Sequence, residues 1–93
     1  MKVTASAGTP NHLETKQCKT PSEVKNFLGD RVFRRRKWAE AHNLTLADEL
    51  LAIKEQIDST DINKVKTGDT RKWTATDEYS GVIFVFELHK DGP

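Results

Sequence analysis

The clearest repeat of apolar positions is Leu46, Leu50, Ile53 and Ile57, at spacings of four, three and four, with Ala47 and Leu51 beside it. Asp48, Glu49, Lys54 and Glu55 fall outside this seam, so the period predicts an amphipathic helix over 46–57. Thr45, three residues before Asp48, is placed to cap it, and Asp58-Ser59-Thr60-Asp61 stops it with side chains that bond their own backbone. An earlier helix start is written in Thr20-Pro21-Ser22-Glu23: a capping threonine, a proline at the first position and a glutamate that completes a capping box. Val24, Phe27 and Leu28 then share one face. If this helix ran on to His42, Arg31 and Arg35 would continue the stripe of Val24, Phe27, Leu28 and Trp38 and set two guanidinium groups over the core. That is costly unless they snorkel or pair. The expectation is a break near Gly29, with Asp30 capping a second helical piece over 31–42.

From Ile62 the pattern changes to period two. Thr67-Gly68-Asp69-Thr70 marks a turn, and residues 71–76 alternate so that Arg71, Trp73 and Ala75 share a face with Trp73 as the inward anchor. Residues 77–81 form a loop with one glycine. Val82-Ile83-Phe84-Val85-Phe86 is apolar on both faces, as in an inner strand covered on both sides, with alternation returning at Glu87, Leu88 and His89; residues 91–93 then end the chain. Residues 1–19 carry only Val3 and Leu13 as sizeable candidates for burial, around Gly8 and Thr9-Pro10-Asn11. They are expected to form a flexible or loosely attached arm, with at most a short strand near 2–5. The predicted architecture is α+β: an arm over 1–19, then one domain over 20–93. That domain would hold two or three helices and a small antiparallel sheet of two or three strands packed on Leu46, Leu50, Ile53 and Ile57.

Length and composition narrow the setting. Ninety-three residues suit one small core. Cys18 is the single cysteine, so no intrachain disulfide can form, and a reducing compartment is the simpler expectation. The first ten residues lack the apolar stretch of a secretory signal, and the longest apolar run, over 82–86, is five residues where about 20 span a bilayer. A soluble, cytoplasmic protein without membrane contact is expected.

Charge changes the picture most. Fifteen Lys and Arg against 14 Asp and Glu leave a formal charge of +1, which excludes a grossly basic or acidic tail. The charges are nonetheless segregated. Residues 31–37 hold Arg31, Arg34, Arg35, Arg36 and Lys37 with no acid, whereas residues 38–61 hold six acids against Lys54 alone. Residues 62–73 hold Lys64, Lys66, Arg71 and Lys72 against Asp69. Side by side in the fold, the two basic segments would form one patch with Trp38 and Trp73 at its flanks, the composition that grips phosphates and stacks bases. Apart, Arg34 to Lys37 would be a solvated helix face paired with Glu40 and neighbouring acids.

Three functions follow. The first is a small non-enzymatic regulatory or binding protein that contacts nucleic acid through Arg31, Arg34, Arg35, Arg36, Lys37, Lys64, Lys66, Arg71 and Lys72, although no phosphate loop, zinc-finger spacing or RNA-binding aromatic motif accompanies them. The second is a protein-binding inhibitor or adaptor, for example of a nucleic-acid-processing enzyme, using opposite-sign surfaces, with Phe33 and a free sheet edge as contact points and a homodimer as one outcome. The third is a small metal-independent ribonuclease using His12, His42 or His89 with Tyr79, Arg71 and Lys72. No cofactor or metal is expected: Cys18 lacks a second cysteine and reads as a small apolar residue, and Ser80 reads as turn chemistry.

Overall fold

The computed structural model describes residues 1–92. Its elements are β1 (Lys2–Thr9), β2 (His12–Cys18), α1 (Pro21–His42), α2 (Leu44–Ser59), a 3-10 turn at Ile62–Lys64, β3 (Thr70–Thr76) and β4 (Ile83–Gly92). The strands form one antiparallel sheet in the order β2-β1-β4-β3. The class is α+β, but the sheet has four strands, and half of them come from the segment expected to be an arm.

Residues 1–19 are a hairpin whose first strand lies inside the sheet, between β2 and β4. Val3, Ala5 and Ala7 alternate inward and are buried, with Ala5 opposite Leu88 and Ala7 opposite Phe86. Small residues here set beside large ones across the strand pair, and they leave room for α1, which crosses β1. The hairpin closes through Pro10-Asn11, with Thr9 paired to His12. Gly8, at φ +151°, is required just before the turn: a Cβ there would lie 2.1 Å from the His12 carbonyl oxygen.

Helix α1 runs unbroken through Gly29, where a break was expected. Thr20 caps it as expected, its hydroxyl accepting from Glu23 N–H at 3.2 Å, while the Glu23 carboxylate reaches back to Lys19 N–H rather than to Thr20. Gly29 is buried where α1 meets α2, and a Cβ there would lie 2.9 Å from Lys54 Cε. The glycine therefore serves close helix approach. Asp30 is not a cap; it pairs with Arg31 and Arg34. The two arginines that argued against a straight helix are accommodated individually. Arg31 lies over the Phe27 ring and pairs with Glu14, and Arg35 lies 4.8 Å from the Phe84 ring centroid.

One residue joins the helices. Asn43 ends α1 through its N–H to the Ala39 carbonyl, and its side-chain oxygen accepts from Thr45 and Leu46 N–H, so Asn43, not Thr45, caps α2. Lys25 Nζ donates to the Asp58 carbonyl while Gly29 meets Lys54, which makes the helices antiparallel. Both cover the same face of the sheet, since Leu46, Leu50, Ile53 and Ile57 share a core with Val24, Leu28, Val32, Ala75, Phe84, Phe86 and Leu88. Strand β4 is thus an inner strand covered by helices on one face, not two, and it continues to Gly92 instead of ending before residue 91. Trp73 does turn inward and packs against the core, half-buried.

The Gly29 geometry yields a prediction whose sign rests on magnitudes. Alanine there gains about 0.8–1 kcal/mol of helix propensity. The obstructing atom is in a flexible lysine side chain whose exposed pair with Asp58 is worth roughly 0.3–0.5 kcal/mol. Gly29→Ala is therefore expected to stabilise by about 0.5 kcal/mol, a rise of roughly 2–4 °C in Tm by calorimetry; a lower Tm would contradict this account of the helix contact.

Candidate nucleic-acid interface

The two basic segments occupy different parts of the molecule. α1 packs on β1, β2 and β4, while α2 packs on β3, the strand at the opposite edge from β2. Arg31 reaches Glu14 on β2 with two hydrogen bonds, of 2.8 and 2.7 Å. Arg34 pairs with Asp30 at 3.1 Å, and Arg36 and Lys37 approach Glu40 at 3.7 and 3.9 Å. Arg35 has no carboxylate partner among the described residues and rests on Phe84. Most of the 31–37 charge is therefore met within the fold. The Glu14 carboxyl is held below the usual carboxylate range, chiefly by its hydrogen bond from Arg31.

Lys64 and Lys66 on the connection before β3, and Arg71 and Lys72 on β3 itself, lie at the other edge. The 62–69 connection is pinned to β4 by the buried Lys90, whose ammonium donates to the Ile62 and Asn63 carbonyls at 3.3 Å each. Backbone bonds from Gly68 N–H to the Lys90 carbonyl and from Lys90 N–H to the Asp69 carbonyl complete the clamp. This sets Lys64 and Lys66 near the start of β3. Arg71, opposite Leu88, and Lys72, opposite Glu87, follow on alternate sides of the strand. Among the described residues none of the four belongs to an ion pair, and all four are exposed.

The tryptophans are separated from the β3 cations: Trp38, 41% exposed, lies near the end of α1, and Trp73 is half-buried on the helix-covered face of β3. Trp38 stacks on His42 at 4.6 Å and meets Phe84 edge-on, and Trp73 packs on the core. The uncovered face of the sheet carries Thr4, Ser6, Thr15, Gln17, Thr70, Lys72, Thr74, Glu87 and His89, with Leu13, Ile83 and Val85 towards its other end, and among the described residues its one ring is the His89 imidazole, bonded to the Thr70 hydroxyl. The surface at β3 can therefore contact phosphates, and on its uncovered face carries no Trp, Tyr or Phe ring on which bases would stack.

The histidines are dispersed. His42 is stacked on Trp38 at the end of α1, whereas His89 bonds the Thr70 hydroxyl at the far end of β4. His12 sits at the β1–β2 turn. Cys18 is buried in the core, and burial pushes its thiol pKa up. Among the described residues no three His, Cys, Asp or Glu side chains are grouped to hold a metal ion, and no helix is long and apolar enough to cross a membrane.

One polar node was not expected from the sequence. Asp77, buried at the β3–β4 turn, accepts from the Ser80 hydroxyl at 2.8 Å, from Asn43 Nδ2 at 3.2 Å and from Tyr79 N–H at 3.2 Å. It ties the hairpin to the joint between the helices. These bonds, the Ser80 hydroxyl foremost, hold the Asp77 carboxyl below its ordinary 3.8. Its contribution is therefore present above that pH and is lost as pH falls through the lower folded-state value. Accordingly, the Tm gap between the wild type and Asp77→Ala, open at pH 7, is expected to narrow below pH 3.8; a constant gap would show that the charged form does not matter. No protein-family model, curated protein or solved structure matches the chain.

Proposed function

We propose that the chain is a small non-enzymatic binding protein that contacts nucleic-acid phosphates through Lys64, Lys66, Arg71 and Lys72 at the β3 edge. The observation that carries this reading is the division of the cations. Four of the five in 31–37 already have carboxylate partners, and the four at β3 have none among the described residues. An unpaired surface cation releases counterions when it meets a phosphate, whereas a paired one must first give up its carboxylate. Recognition here is of backbone charge, without base stacking.

The test is fluorescence anisotropy of a labelled duplex as a function of salt. Four phosphate contacts give a log-log slope of about −3.6 on duplex DNA, and Arg71→Ala with Lys72→Ala should reduce it to about −1.8. Arg34→Ala with Arg36→Ala should leave it nearly unchanged. Absence of binding at low salt, or loss of slope only in the helix variant, would overturn the assignment.

A second reading has its own observation. Among the described residues β3 pairs with β4 alone, so its outer row of backbone groups is open to a strand from an acidic protein partner, as an inhibitor or adaptor would use it. Partners captured from a lysate distinguish the two: nuclease treatment releases them under the first reading and leaves them bound under the second.

A further inference from the structure

The opposite edge of the sheet has a different charge pattern. β2 is seven residues long, pairs with β1 along its whole length without a register shift, and has no neighbour on its other side among the described residues. It contains no proline, and every residue except Cys18 is exposed. Natural sheets usually blunt such an edge with like charges, bulges or prolines. The β3 edge is protected in this way against another β3, because Arg71 and Lys72 have the same sign and the strand has no acid. The β2 edge instead carries Glu14 and Lys16, of opposite sign, on the same face and symmetrically about Thr15.

We propose that β2 pairs antiparallel with β2 of a second copy of this chain, centred on Thr15, to form a two-fold dimer with a continuous eight-stranded sheet. The register follows from the residues. A two-fold axis normal to the sheet sets residues of the same face opposite each other, so the centre must fall on a residue. Centred on Glu14, the pairing sets two glutamates together; centred on Lys16, it sets two lysines together. Each repels. Centred on Thr15, it sets each Glu14 opposite the other copy's Lys16, Leu13 opposite Gln17, and Thr15 opposite itself, and all seven residues are paired. Glu14 keeps its bonds to Arg31 from the helix side while the strand edge is joined in the sheet plane.

The surroundings fit the same partner. Between β2 and α1 lies an open cleft of about 400 Å³, lined by Glu14, Lys16, Asn26, Phe27, Asp30 and Arg31 among others. The α1 flank beside it continues at helical spacing to Phe33, which is 53% exposed, and to Lys37. In the dimer this flank turns towards its two-fold mate, which accounts for a large exposed ring at that position. The β3 edges stand at the two far ends of the joined sheet. The proposal does not depend on what they bind.

Analytical ultracentrifugation of the full chain at about 100 μM, where weak edge contacts are populated, is expected to show a dimer. Lys16→Glu places like charges opposite each other and should sediment as a monomer with unchanged circular dichroism, while Glu14→Lys with Lys16→Glu restores the pairing and should recover the dimer. Thr15→Cys gives a readout that does not depend on the swapped charges: mild oxidation should link two copies through this position, whereas Thr74→Cys on the β3 edge should not link. A monomeric wild type, an unaltered dimer in Lys16→Glu, or equal cross-linking at Thr15→Cys and Thr74→Cys would overturn the proposal. Species that grow beyond two copies would also overturn it, since β2-on-β3 contacts do not close.

Discussion

Deletion of residues 1–19 is expected to unfold the protein, not to trim it. The deletion removes an inner strand paired with β4 from Lys2 to Gly8, together with the buried Val3, Ala5, Ala7 and Cys18. It also removes Glu14 from beside Arg31. A fully buried valine alone is worth roughly 1.5–3 kcal/mol, and each lost ladder hydrogen bond about 1 kcal/mol. Against a total stability of about 5 to 10 kcal/mol for a chain of this size, no folded remainder is expected. Circular dichroism of the 20–93 fragment should show no cooperative melt. A fragment that melts cooperatively within a few degrees of the full chain would mean that the hairpin is an appendage after all.

Phe86→Ala is expected to have the next largest effect. Phe86 is 1% exposed, stands between Trp73 on β3 and Ala7 on β1, and belongs to the core under both helices. Its removal leaves a cavity that alanine residues nearby cannot fill, at a cost of about 3–5 kcal/mol. Urea denaturation should show a midpoint lowered by about a third or more with an unchanged slope. Tyr79→Ala is the control: that side chain is 86% exposed and should change stability by less than about 0.5 kcal/mol.

Some of this fold can be read from the residues alone. The Leu46, Leu50, Ile53 and Ile57 stripe, the Thr20 cap and the β3–β4 hairpin follow from local periodicity and turn chemistry, and all three are present. What escaped reading depends on distant neighbours. β1 has period-two alternation, but its inward residues are Val, Ala and Ala, which local propensity does not mark as strand. They are small because α1 and the side chains of β4 already fill that space. Gly29 looks like a helix breaker until α2 is placed against it. Asn43 caps α2 and bonds Asp77, 34 residues away, a pairing that no local pattern encodes.

The same limit governed the candidate site. The run from 31 to 37 stood out because its cations are contiguous in sequence, yet its neutralising groups include Glu14, 17 residues upstream on another element. Lys64, Lys66, Arg71 and Lys72 are fewer and interrupted by Asp69, but the fold leaves them without carboxylate partners among the described residues. Contiguous charge in a sequence and free charge on a surface are different quantities, and strand order separates them here.

The central claim, that the free cations at the β3 edge and not the helical run meet the phosphates, is tested most directly by amide chemical-shift mapping during titration with a short duplex. The account predicts that the shifts concentrate at residues 64–72 and their β4 neighbours, with 31–37 nearly still. Shifts centred on Arg31 to Lys37, with 64–72 unmoved, would contradict it.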